Sequence, residues 1–393
     1  MRLRFLLAAL CGVNTWVSAQ TPPAVTAVAA ATAAAPLARD LREDVQQLTV
    51  TVKNMAGTDV TGAMTLTTYR PAGEGPFPLV VMNHGRAVAE RRAQQGRQRY
   101  EPLARYLVSK GFAVMVPTRL GYGDTYGHFD PEAAGRCASL QIDSMSQATS
   151  DQVLAAVAHA RTLPWVDATR WVVMGQSVGG LAAVAVAWRN PPGLVAAINL
   201  AGGAGGNPES RPGDPCSPQV TEALWRRKAA DAKVPMLWLY WANDRYWGAE
   251  WPQRWARAWQ DGGGRVEFHQ LPAIGADGHS GMSLDMDRWV PIVEAYLARA
   301  GFAQSSVVAR PAATDFAALD DIDKLPAGRN ARISYQTRFL AAKPPRAFAL
   351  GSDGNFGWAT GDWAAGRALG FCQSARGAVC KLYALDDTVV WAP

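Results

Sequence analysis

The stretch Trp171-Val172-Val173-Met174-Gly175-Gln176-Ser177-Val178-Gly179-Gly180 (WVVMGQSVGG) decides how the chain folds. Four apolar residues run into a serine set between glycines, which reads as a buried strand, a tight turn and a helix opening near Val178. Any side chain at Gly175 or Gly179 would collide with its neighbours in so tight a turn, and the strain lifts the Ser177 hydroxyl clear of the backbone. The N–H groups of the helix then point at the same place and favour negative charge developing there.

Outward from this stretch the alternation of strand and helix recurs. Short β-rich runs, Leu48 to Val52 and Met64 to Tyr69, precede Pro78 to Met82, an apolar run suited to a strand buried on both faces. A helix over about Tyr100 to Lys110, the strand Phe112 to Val116 and a helix from about Ser146 to Arg161 lead back to Trp171. After it come strands at Leu194 to Leu200, Val234 to Tyr240 and Val266 to Leu271, a helix around Trp251 to Trp259, and a last helix from about Arg288 to Arg299. Such alternation requires crossover connections, hence an α/β fold with a mostly parallel sheet and helices on both faces. Ligands in these sheets sit beyond the carboxyl ends of the strands, where Ser177 is placed.

A serine hydroxyl is a poor nucleophile until a base takes its proton, and the base needs a carboxylate to orient it. Of the five histidines, His84 follows a strand and precedes Gly85, His128 lies in a loop, His159 in a helix and His269 in a strand. His279, in Gly275-Ala276-Asp277-Gly278-His279-Ser280, alone sits in a loop between the last strand and the last helix, and it is the candidate base. Asp244, in the loop past the Val234 to Tyr240 strand, is the candidate carboxylate; its rival Asp277 is read as shaping the turn before His279. For the oxyanion, one backbone N–H should come from Val178 and the other from Arg86, in Asn83-His84-Gly85-Arg86. His84 is read as a scaffold residue of that loop.

Taken together, residues 45–303 resemble an exported bacterial α/β-hydrolase of the dienelactone hydrolase-like group. The residues carrying the resemblance are Phe77-Pro78 leading into Val80 to Gly85, Gly121 to Gly123, Gly175 to Gly180, Leu237 to Tyr240 ahead of Asn243-Asp244, and Asp277-Gly278-His279. The resemblance implies the α/β-hydrolase fold and Ser177, Asp244 and His279 as a triad in that family's chain order. The namesake enzymes use a cysteine nucleophile where this chain has Ser177, so ester or amide hydrolysis through an acyl-enzyme is the expected class, with no cofactor or metal required. Two alternatives stay open: a serine peptidase of prolyl oligopeptidase type, and a non-catalytic binding protein on a hydrolase fold.

Composition bounds these readings. The 393 residues are 49% hydrophobic, enough for a large core with an appendage. The net charge of +6 is spread without basic runs, which argues against nucleic acid as a partner and leaves a small-molecule ester or amide. Met1 to Arg4 is basic, Phe5 to Val13 apolar, and Val17-Ser18-Ala19 small, so residues 1–19 read as a signal peptide and the protein as periplasmic or secreted. No stretch is long and apolar enough to span a membrane, and Cys11 lacks the small preceding residue of a lipid-anchor site. The four remaining cysteines suggest two disulfides. Proximity favours Cys372 with Cys380 and, by elimination, Cys137 with Cys216.

The Ala/Thr/Pro-rich segment after the signal reads as a flexible tether over residues 20–44. The Gly/Pro-rich run from Gly202 to Cys216 reads as a rim over the site. Trp247, Trp251, Trp255 and Trp259 recur on one helical face, chiefly as packing, with the first members near enough to Asp244 to line an aromatic pocket. Residues 304–314 read as a linker and 315–393 as a small α+β module, with Cys372 and Cys380 as its expected staple and an unknown partner as its expected contact. It resembles a small module of exported bacterial proteins. Within it the pattern predicts strands at Arg346 to Leu350, Phe356 to Trp358, Cys380 to Leu385 and Thr388 to Trp391, and a helix from Asp362 to about Arg376.

Overall fold

The computed structural model describes residues 37–302, 311–361, 363–373 and 379–392. The signal peptide, Cys11, residues 20–36 of the expected tether and residues 304–310 of the expected linker lie outside them.

Eight strands form one sheet: β1 (Asp44–Lys53), β2 (Asp59–Tyr69), β3 (Phe77–Asn83), β4 (Ala113–Thr118), β5 (Val166–Gln176), β6 (Leu194–Leu200), β7 (Met236–Trp241) and β8 (Val266–Leu271). Their order is β1-β2-β4-β3-β5-β6-β7-β8, and the pairs from β4 through β8 are parallel. This is the mostly parallel sheet that the alternation predicted, in the α/β-hydrolase architecture that the resemblance implied. β1 and β2 add an antiparallel hairpin, and β2 alternates exposed and buried residues only until it reaches β4. The central strands are apolar on both faces because helices cover both: Leu79 to Met82, Trp171 to Met174 and Met236 to Trp241 are buried.

The covering helices are α1 (Ala89–Arg92), α2 (Glu101–Ser109), α3 (Ile142–Ala160), α4 (Val178–Arg189), α5 (Pro218–Lys228), α6 (Glu250–Asp261), α7 (Gly281–Leu284) and α8 (Met286–Arg299). The tryptophans act mainly as cement. Trp238 of β7 meets Trp225 of α5 at 4.8 Å and Trp259 of α6 at 5.7 Å between ring centroids, fixing both helices on that strand.

The expected tether ends sooner than residue 44. Leu41 is buried, and the Glu43 carboxylate, with no exposed surface, accepts hydrogen bonds from Arg97 Nη1 and Arg99 Nε, both at 2.8 Å. A buried carboxylate needs such partners, so residues 37–44 belong to the folded body.

The C-terminal residues form a second, four-stranded antiparallel sheet of β9 (Arg346–Gly351), β10 (Phe356–Thr360), β11 (Cys380–Leu385) and β12 (Thr388–Val389), in the order β10-β9-β11-β12. Alternate residues of β9 feed two cores. Phe348 and Leu350 meet Tyr335 and Phe339, which follow α9 (Arg329–Ser334), while Ala347 and Ala349 pack with Ala368 and Cys372 of α10 (Ala364–Gln373). The rest of the helix expected over Asp362 to Arg376 lies outside the described residues. Thr314, expected in the linker, is bonded to this sheet through its N–H to the Val389 carbonyl at 2.9 Å.

Both expected disulfides are present, Cys137–Cys216 with Cα atoms 4.9 Å apart and Cys372–Cys380 at 6.1 Å. Among the described residues no helix is long and apolar enough to cross a membrane.

Candidate active site

Four strand ends converge at the carboxyl edge of the sheet. β3 lies between β4 and β5, so the chain leaves it to opposite sides and opens a crevice there. Ser177 sits at this crevice, between β5 and α4, with φ +58° and only 4% of its surface exposed. Positive φ in a non-glycine residue is strained. The flanking glycines permit it: a Cβ on Gly175 would lie 2.0 Å from the Gly179 carbonyl oxygen, and one on Gly179 would lie 2.1 Å from that of Asn83.

Asp244, in the turn after β7, is buried and fully engaged. Its Oδ1 accepts from the N–H groups of Tyr246 at 2.8 Å and Trp247 at 3.2 Å, while its Oδ2 pairs with His279 Nδ1 at 3.0 Å. Asp277 takes a different part: its Oδ1 accepts from the N–H groups of His279 and Arg245, each at 2.9 Å, and so caps the turn that carries the imidazole. The structure thus pairs His279 with Asp244 and gives Asp277 to the backbone. Gln176 Nε2 donates to the His279 carbonyl at 3.1 Å, tying the histidine loop to the serine elbow. Ser177 Oγ makes no hydrogen bond among the described residues; its link to the histidine loop is the one made by its neighbour Gln176.

The loop after β3 lies against Ser177, since a Cβ on Gly85 would stand 3.0 Å from Ser177 Cβ. Its N–H groups have distinct fates. That of Gly85 donates to Tyr100 Oη at 3.3 Å and that of Ala87 to Gln95 Oε1 at 2.9 Å, whereas that of Arg86 has no acceptor among the described residues. Val178, the first residue of α4, contributes a helix-terminal N–H of the kind left unsatisfied within a helix. His84 is fully buried; its Nε2 accepts from the Arg119 N–H at 3.1 Å, so Nδ1 carries the proton and donates to the Gly85 carbonyl at 2.7 Å. Burial, and then the nearby Arg119 charge, push its pKa well below the usual histidine value. Elsewhere, His159 pairs with Gln46 and His269 with Glu267, away from the serine.

Two cavities open at the site. One of about 260 Å³ is lined by Ser177, Val178, Arg86, Trp247 and the rim residues Gly205 and Gly206. The Cys137–Cys216 bridge ties that rim to the segment from Ala134 to Leu140, which forms another part of the same wall. The other, of about 580 Å³, contains His279, Gln176, Tyr100 and Arg245. Tyr246 borders both and stacks on the His279 ring at 3.9 Å and 24°. Arg86 and Arg92 both pair with Asp130, and Arg119 with the fully buried Glu132. Burial alone would raise the Asp130 carboxyl, but its hydrogen bonds to Arg86 and then Arg92 outweigh that and hold it low. Of the tryptophan stripe, Trp247 alone borders the first cavity, and Trp255 and Trp259 are wholly buried. Sequence reasoning gave no part to Tyr246 and did not foresee the contacts of Gln176 and Asn243; the last joins β7 to the loop after β8 through Ile274, its Oδ1 accepting from the Ile274 N–H at 3.0 Å. Among the described residues no cluster of His, Cys, Asp or Glu is arranged to hold a metal ion.

Residues 62–262 match the family described as X-Pro dipeptidyl-peptidase (S15 family). No curated protein matches the sequence. Among solved structures, the chain is similar to Pyrococcus horikoshii acylaminoacyl peptidase, with 15% identity and a TM-score of 0.45 over 68% of this chain and 43% of that one. The match thus spans less than half of that peptidase. A Klebsiella pneumoniae chain named for dienelactone hydrolase matches with 16% identity and a TM-score of 0.42, over 66% of this chain and 98% of its own. An acetyl xylan esterase from Paenibacillus sp. R4 matches with 17% identity and a TM-score of 0.43, over 66% and 87%.

Proposed function

The chain belongs to the S15 family of X-Pro dipeptidyl-peptidases and is a serine hydrolase, and from that premise we propose that it cleaves a carboxylic ester through an acyl-enzyme on Ser177. The observation carrying this reading is the Asp244–His279 pair at 3.0 Å on a loop that Gln176 ties to the elbow of Ser177, whose φ is +58°. His279 Nε2 takes the Ser177 proton, the oxygen attacks the carbonyl, and the N–H groups of Val178 and Arg86 receive the oxyanion. The imidazolium returns the proton to the leaving oxygen, and water then hydrolyses the acyl-enzyme by the same route. Asp244 holds the Nδ1–H tautomer throughout.

The family description favours a second reading, removal of dipeptides from peptide N-termini. Such a substrate brings an ammonium group that wants a free carboxylate. Glu132, the carboxylate bordering the cavity beside Ser177, is already taken by Arg119, Tyr122 and Gln152. This supports the ester over the dipeptide. We further propose export to the periplasm or beyond, for which the two disulfides are the support. The catalytic body is taken as residues 37–302, with the C-terminal module beginning near Thr314.

The test is fluorophosphonate labelling of wild type, Ser177→Ala and His279→Ala, followed by hydrolysis of aryl esters and X-Pro dipeptide amides. Labelling and ester turnover that vanish in both variants are expected. Unchanged labelling of Ser177→Ala would remove the proposed nucleophile, and faster turnover of the dipeptide amide would select the second reading.

A further inference from the structure

A third cavity, of about 80 Å³ and almost wholly apolar, lies where the C-terminal module meets the catalytic body. Pro102 of α2 and Met286 of α8 wall it from one side and Phe371 of α10 from the other. Tyr100, Met282 and Ser283 line both this cavity and the one containing His279. The module is fixed in place here: Trp363 meets Tyr106 of α2 edge-on at 4.4 Å, and a Cβ on Gly370 would lie 2.5 Å from Pro102. Phe371, which lines this cavity, is nevertheless 46% exposed.

The histidine that takes the serine proton later delivers it to the leaving group, which must therefore lie on the His279 side of Ser177. The acyl group lies on the other side, in the cavity of Val178 and Arg86. Resting on the acyl-enzyme reading above, we propose that the C-terminal module completes the leaving-group subsite. The substrate is an ester whose leaving group carries an alkyl tail, running from Ser177 past His279, over Met282 and against Phe371. The shared wall of Tyr100, Met282 and Ser283 provides the path, and the apolar lining sets the chemistry of its occupant.

The experiment uses the full chain and a series of acetates with one acyl group and a lengthening leaving group: phenyl, 4-ethylphenyl and 4-butylphenyl acetate. In wild type kcat/KM should rise about fourfold per methylene over this series, as buried methylenes do. In Phe371→Asp the ratio of butylphenyl to phenyl acetate should fall at least tenfold. Ser283→Phe, an exposed position on the catalytic body, should obstruct the path and produce the same fall even if Phe371→Asp does not fold. Ile333→Asp, which lines neither cavity, should keep the wild-type ratio. Ser177-dependent turnover of phenyl acetate with a tail dependence indifferent to both variants would overturn the subsite alone. A fall in dependence on acyl length, with leaving-group dependence intact, would also overturn it. Absence of Ser177-dependent turnover in folded wild type would overturn the acyl-enzyme reading, and this subsite with it.

Discussion

The loops after β3 and β8 each carry a buried histidine next to a glycine at the same edge of the sheet, yet the surrounding chain treats the two rings differently. His84 has both nitrogens engaged by backbone, accepting from Arg119 N–H and donating to the Gly85 carbonyl. His279 has Nδ1 engaged by Asp244, and its ring borders an open cavity. A ring consumed at both nitrogens can only support its loop. A ring held at one nitrogen is oriented and still able to exchange a proton at the other.

The contrast breaks most sharply at the ring itself. His279→Ala should lower kcat for an aryl ester by about 10⁴-fold or more, as loss of a triad base does, with the thermal midpoint nearly unchanged. Activity within tenfold of wild type would show that the open ring is not the base. Next comes the partner: Asp244→Asn should cost about 10³ to 10⁴ in kcat, because the amide favours the wrong tautomer. Steady-state kinetics on the same ester checks this.

For His84 the expected effect is on stability. Its folded pKa is depressed, so the unfolded chain binds the extra proton first. The stability that neutral His84 contributes is therefore complete above the unfolded value of about 6.5 and declines as pH falls from there towards the folded value. Urea midpoints should drop between pH 7.5 and 5.5 in wild type, and His84→Gln should lose that component of the slope while costing about 1–3 kcal/mol at pH 7.5. An unaltered slope would mean that His84 is not the group titrating. The smallest effect belongs to Tyr246, whose ring stacks on His279. A stack contributes about 0.5–1.5 kcal/mol, so Tyr246→Leu should reduce kcat/KM about twofold to tenfold, more through kcat if the ring positions the imidazole and more through KM if it only walls the cavity.

Much of this was legible in the sequence because it rests on local chemistry. The double-sided burial of β3, β5 and β7 shows as unbroken apolar runs, and the elbow shows as glycines around Ser177. The order of Ser177, Asp244 and His279 follows from a sheet built strand by strand. What was not legible depends on partners distant in sequence. Glu43 reads as part of a tether until Arg97 and Arg99 are seen to bury it, and α5 is hidden because its polar face dilutes the signal of Leu224 and Trp225. Tyr246 and Gln176 carry no motif; their roles arise from a stack and a hydrogen bond made across loops. The early residues of the module, from Leu325 to Phe339, escaped notice because their short helical turns pack only against a sheet that comes later in the chain.

The glycines around Ser177 also bear on how such a protein can change over generations. A Cβ at Gly175, Gly179 or Gly180 would strike a carbonyl or amide oxygen within 2.0 to 2.3 Å, so these positions have almost no neighbouring sequences that keep the turn. At position 177 the φ of +58° constrains the backbone, while the side chain projects beside open space. The atom proposed to react is therefore more replaceable than the atoms that hold it. A lineage can exchange its nucleophile between oxygen and sulfur and keep the turn, while loss of one glycine closes that route for every nucleophile at once.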